Sequence, residues 1–150
     1  MRFMPQRDYQ TMLQINRELI NTIIDTVVVL YKLNIEQTKT NIYNESTRKS
    51  HYVGVRVPCL INRQNTSPTL DGAVLSTSQT SQFYFLRTEL ETRSVYPEVG
   101  DLIEFHDSYF EIVNLNETQL IAGQVHYNHS IIAECVLTRV PATGLERPTI

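Results

Sequence analysis

The sequence contains no tryptophan, five glycines, six prolines and two cysteines in 150 residues. Each scarcity excludes something. With glycine at positions 54, 72, 100, 123 and 144 only, neither a Walker loop nor a G-x-G-x-x-G turn can be written, and the G-x-S-x-G elbow and the H-E-x-x-H helix are missing too. Cys59 and Cys135 form no C-x-x-C pair, so neither zinc nor thioredoxin-like chemistry has a framework, and each lies in an alternating apolar stretch where a free thiol acts as a small buried hydrophobe. Thirteen Lys and Arg stand against sixteen Asp and Glu, giving a net charge of −3 with no basic cluster. Affinity for nucleic acid through counterion release is therefore disfavoured. The longest uninterrupted apolar run is Val27 to Tyr31 and the N-terminus lacks an apolar leader segment, so neither conventional export nor membrane anchoring is expected.

What is present fits one domain with a single core over residues 1–150. Between Asp8 and Ile24 the apolar residues Tyr9, Met12, Leu13, Ile15, Leu19, Ile20, Ile23 and Ile24 recur with a helical period, predicting an amphipathic helix over 8–24. Asp8 is the expected N-cap, and the apolar stripe is expected to pack on the domain's own sheet.

From residue 26 to 139 the pattern is that of strands. TVVVLYKL is rich in β-branched residues, NIYNES at 41–46 reads as a short strand into a turn, and HYVGVRVPCLIN alternates, with Pro58 demanding an edge or a bulge. Residues 62–81 are rich in Ser and Thr, with one Asp-Gly turn signal, and read as a long polar loop suited to contact a partner. FYFLRTEL resumes strand character. Residues 102–113 form an expected hairpin with Ile103, Phe105, Phe110 and Ile112 inward and the connection at Asp107–Ser108. ETQLIAGQ and HSIIAECVLTRV supply the last strands, and 140–150 is a C-terminal arm. The fold class expected is mainly β: a small antiparallel β-barrel or sandwich with an N-terminal α-helix and one long polar loop.

Chemistry-bearing residues are few. Glu104 and His106 stand two apart on one strand, with Glu111 opposite, the arrangement of a general base and its orienter, but no nucleophile accompanies them. Solvated strand-face residues are the simpler account. His126 and His129 would share a helix face but take opposite faces of a strand, and Asp101 with Glu104 lacks a histidine partner. No catalytic, cofactor-binding or metal-binding residue is assigned, and no cofactor is expected.

Two stretches carry a resemblance. Residues 41–63, NIYNESTRKSHYVGVRVPCLINR, resemble the NIYGES…K.Y….V.CLI.R passage of neck proteins from contractile-tailed bacteriophages. Residues 95–139, VYPEVGDLIEFHDSYFEIVNLNETQLIAGQVHYNHSIIAECVLTR, resemble their YPEVGD.I.W...YYEI......QL.GG....Y..SI...C..TR passage. Asn44 stands for a motif glycine, Phe105 for a tryptophan and Ala122 for one of two glycines; asparagine is the non-glycine residue that best tolerates positive φ. The resemblance implies a non-enzymatic virion protein, made in the host cytoplasm and assembled as a six-fold homo-oligomeric ring at the head-to-tail junction. It would close the DNA-filled head and offer a docking surface to the tail. Implied partners are further copies of itself, a portal or adaptor ring on the head side, a tail-terminator or tail ring on the other, and double-stranded DNA passing through without sequence-specific binding. A tail-terminator ring is the alternative within this class. A small β-barrel enzyme using Glu104 and His106 is the alternative outside it.

Overall fold

Pro5, extended at φ −63° and ψ 146°, starts the first helix, α1 (Gln6–Glu18). Proline suits this place because its missing N–H costs nothing where helix amides have no partner. Asp8 is therefore not the cap; its own N–H donates to the Pro5 carbonyl at 3.1 Å, and its carboxylate complements the first-turn dipole, as Arg17 does the last. A π-helical segment (Leu19–Ile24) follows, and Asp25, left-handed at φ 47°, ends it by donating to Ile20 O at 3.1 Å. A computed structural model describes residues 5–40, 42–43, 46–63, 67–71, 74–120, 128–139, 145 and 147–148.

The strands that follow are β1 (Val27–Tyr31), β2 (Leu33–Thr40), β3 (Ser46–His51), β4 (Val55–Pro58), β5 (Leu60–Arg63), β6 (Ser67–Asp71), β7 (Val74–Ser78) and β8 (Thr80–Leu86). After a short helix, α2 (Arg87–Thr92), come β9 (Leu102–Phe105), β10 (Ser108–Leu120) and β11 (Asn128–Thr138). Seven of them make one antiparallel sheet in the order β4-β1-β9-β10-β11-β8-β5. The outermost strands, β4 and β5, are consecutive in the chain with only Cys59 between them, so the sheet must roll until its margins meet there. The result is a half-barrel, as the strand pattern led one to expect. Pro58 sits opposite Val27 on the marginal strand, where its missing donor is harmless, and Cys59 continues the pairing by donating to Thr26 O at 2.9 Å.

The roll encloses Val28, Leu30, Val57, Cys59, Phe83, Phe85, Ile103, Phe110, Ile112, Ile131, Ala133 and Cys135, with Leu90 of α2 and Val95 beyond it completing the core. Phe83 and Phe110 meet edge to face with ring centroids 5.4 Å apart. The alternation of β11 follows its sequence: Ile131, Ala133 and Cys135 are buried and their neighbours are not. Gly54 lies where the chain presses hardest against β1, since a Cβ there would come within 2.5 Å of Val29 Cγ1 and 2.7 Å of Tyr31 Cε1.

Several expectations need correction. Residues 42–43 lie in a turn between β2 and β3, not a strand, and among the described residues these two strands pair only with each other. The segment 62–81, expected to be a loop, carries a second independent hairpin, β6 against β7, paired from Ser67↔Ser78 to Asp71↔Val74 around its Asp-Gly signal. FYFLRTEL stops alternating at Leu86; Arg, Glu and Leu then form α2. The 102–113 hairpin turns one residue earlier than expected, at His106–Asp107, both at positive φ (48° and 60°), because a two-residue connection must match the strand twist with left-handed residues. Ile103, Phe110 and Ile112 do point into the core, while Phe105 is half-buried.

The helix departs furthest from expectation. Ile20 is buried and Tyr9, Leu13 and Ile24 are partly covered by the body, but Met12, Ile15, Leu19 and Ile23 face solvent. The domain's own surface covers only part of the stripe.

Candidate functional site

The expected pair does not assemble. Glu104 stays in β9 opposite Tyr109, not Glu111; its Oε2 accepts from the Tyr31 hydroxyl at 2.6 Å and its Oε1 lies 3.0 Å from Arg147 Nη2. Burial, then the hydrogen bond and charge of Glu104, push the Tyr31 phenol well above its ordinary value, so the proton stays on Tyr31. His106 sits in the turn and sets its ring edge-on to Phe105, centroids 4.2 Å apart. Among the described residues, Glu104 is held by a phenol and a guanidinium and His106 packs on carbon, so the two are engaged separately and not with each other. Glu111 is engaged with Lys49 at 2.6 Å.

His126 lies outside the described residues. His129, the second residue of β11, has Nε2 at 2.8 Å from Asn16 Nδ2 of α1, and burial lowers its pKa, which keeps the ring neutral and able to accept that amide proton. Both cysteines are buried and unpaired by a disulfide; burial pushes the Cys59 thiol up to about 12 and Cys135 higher still. Among the described residues no three His, Cys, Asp or Glu side chains converge on a common point, and no helix is long and apolar enough to cross a membrane.

What the fold does build is a pair of attachment points for protruding elements. The first is Glu89, 1% exposed at the start of α2. It accepts from Arg17 Nε at 2.6 Å and Asn21 Nδ2 at 3.2 Å, both on the N-terminal helix, and from Arg93 one turn along. Burial alone would raise its pKa; hydrogen bonds from Arg93 and Asn21 and the charges of Arg93 and Arg17 outweigh that, and the carboxyl ends below its ordinary value.

The second is Asp101, also 1% exposed, which receives the Leu33 N–H at 2.9 Å and the Glu98 N–H at 2.8 Å. Its burial raises its pKa against those two bonds. Leu33 is the first residue of the β2–β3 arm, whose root is fixed further by Tyr52 N–H to Lys32 O at 2.9 Å and by the Lys32–Glu98 and Lys49–Glu111 ion pairs. Beyond the root the arm shows Ile35 at 79% exposure, and Ile42 and Tyr43 at its turn are 98% and 84% exposed.

Neither hub was identified from sequence. Glu89 has a visible i,i+4 partner in Arg93, a signal that requires α2 to be recognised first. Asp101 follows Gly100, itself at φ 97°, in a turn. Nothing in PATGLERPTI marks Arg147.

No protein-family model matches this chain, and no curated protein matches it. Among solved structures, one chain of a particle described as "Virion of native gene transfer agent (GTA) particle" matches with a TM-score of 0.53 at 10% identity, over 76% of this chain and 94% of that one. This chain has the fold of that virion chain. At such identity the virion-chain fold carries the course of the backbone and no residue roles. It spans nearly the whole of the other chain.

Proposed function

We propose that this chain is a virion structural protein that forms a homo-oligomeric, six-fold ring in the neck of a tailed phage particle, closing the DNA-filled head and offering a docking surface to the tail. The virion-chain fold is the observation that carries this reading, and the NIYNES and YPEVGD stretches support the finer assignment to the neck. The half-barrel is the ring's wall. The β6–β7 hairpin projects into the lumen or onto the next ring, and the portal or adaptor ring and the tail-side ring are the neighbours. Double-stranded DNA passes through; a net charge of −3 without basic clusters suits a conduit that must not hold phosphates.

A tail-terminator ring is the nearest rival and differs only in position. The enzyme reading is disfavoured by the engagement of Glu104 with Tyr31 and Arg147. Mass measurement of the purified chain, or of isolated necks, should return a closed ring, and substituting both Glu104 and His106 with Gln should leave its formation unchanged. A strict monomer that persists after mixing with portal and connector proteins would overturn the proposal.

A further inference from the structure

The N-terminal helix is apolar on two sides. Tyr9, Leu13, Ile20 and Ile24 lie toward the body, whereas Met12, Ile15, Leu19 and Ile23 are 42%, 59%, 41% and 74% exposed. At about 100° per residue the two sets are centred about 100° apart, so apolar side chains occupy about half the circumference, more than a helix lying on one surface requires. Such a helix is made to be covered twice.

The β2–β3 arm is incomplete in the complementary way. Among the described residues it is a two-stranded sheet joined to no other strand, with Ile35 and Ile42 in water, and an isolated two-stranded ribbon needs a surface to lie on. We infer that in the ring proposed above, on which this inference rests, the outward face of one subunit's N-terminal helix is covered by the β2–β3 arm of a second copy of this chain.

Two features favour this occupant. The eight residues of β2 reach about 26 Å, and the 13 α-helical and 6 π-helical residues rise about 28 Å, so the two elements match in length. Finally, helix and arm are different surfaces, so their contact is head-to-tail and can propagate into a closed ring, whereas a helix resting on its own copy would stop at a two-fold pair.

The test uses thiols. Cys59 and Cys135 are 0% exposed and do not interfere with introduced cysteines in the folded chain. I15C and I42C are prepared separately, mixed in equal amounts under ring-forming conditions and treated with a short bismaleimide, while mass is measured on the untreated mixture. The expected result is a closed ring by mass and a cross-linked dimer that forms in the mixture but in neither variant alone. Separately, I42D should weaken association at least tenfold while leaving the far-ultraviolet circular dichroism of the subunit unchanged. A closed ring without the mixed dimer, or with I15C cross-linking to itself, overturns the arm-on-helix contact and leaves the ring intact. A monomer by mass overturns both.

Discussion

Replacing Glu89 by Gln tests what holds the N-terminal helix to the body. Gln keeps the size and one acceptor, but it removes the charge and turns an amide N–H₂ toward guanidinium donors. Hydrogen bonds to a charged group contribute about 1.5–3 kcal/mol each and neutral ones about 0.5–1.5, so three donors would nominally lose several kcal/mol. The Arg17 and Arg93 side chains are 52% and 32% exposed, and water screens them. A loss of about 2 kcal/mol remains, corresponding to a fall in Tm of about 4–8 °C for a chain of this size. The pH dependence gives an independent check. Because the folded pKa of Glu89 lies below its ordinary 4.5, its contribution is complete above that pH and is lost as pH falls through the folded value. Urea midpoints of the wild-type chain should therefore fall between pH 5 and pH 3 more steeply than those of E89Q. Hydrogen exchange at pH 7 should show the amides of α1 opening faster in the variant. Equal midpoints at pH 7, or identical slopes in acid, would refute the idea that this carboxylate clamps the helix.

Two further outcomes follow from the geometry. Gly54→Ala places a methyl group within 2.5 Å of Val29 and 2.7 Å of Tyr31, and overpacking of this kind should cost about 1–3 kcal/mol in a urea titration; an unchanged midpoint would mean that the chain is not pressed against β1. His129 has a folded pKa below the ordinary 6.5, so the stability it supplies is complete above that pH and is lost as pH falls through the lower value. Wild type should therefore lose stability relative to H129Q as pH falls below 6.5, and a constant difference would show that the Asn16–His129 contact does not depend on a neutral ring.

The legible parts of the fold were those where burial imposes a period. β11 and the inward residues of β10 alternate because one face meets the core, and the helix shows its 3.6-residue repeat. The β2–β3 arm and the β6–β7 hairpin were illegible for the same reason in reverse: each pairs only with itself, so no core selects alternate residues for apolarity. α2, at six residues, is too short to declare a helical period, and its buried Glu89 looks in sequence like any surface acid. The His106–Asp107 turn was misplaced by one position because neither residue is glycine, and the sequence offered the neighbouring Asp107–Ser108 pair as an equally polar choice. The helix was found, but its excess of apolar residues was assigned to one surface. Counting them around the axis would have called for two.

The meeting of β4 and β5 at Cys59 limits how this molecule can bind anything. One nine-residue passage serves as both rims of the roll, so each rim is a strand of just four residues, one of them ending in a proline. So little unpaired backbone on the roll is a poor template for recruiting a foreign strand, and the longer open edges belong to the β2–β3 and β6–β7 hairpins. In the ring proposed above, association is therefore left to the helix and the two hairpins, and the interior can keep its register while the outside is remade to suit a different neighbour.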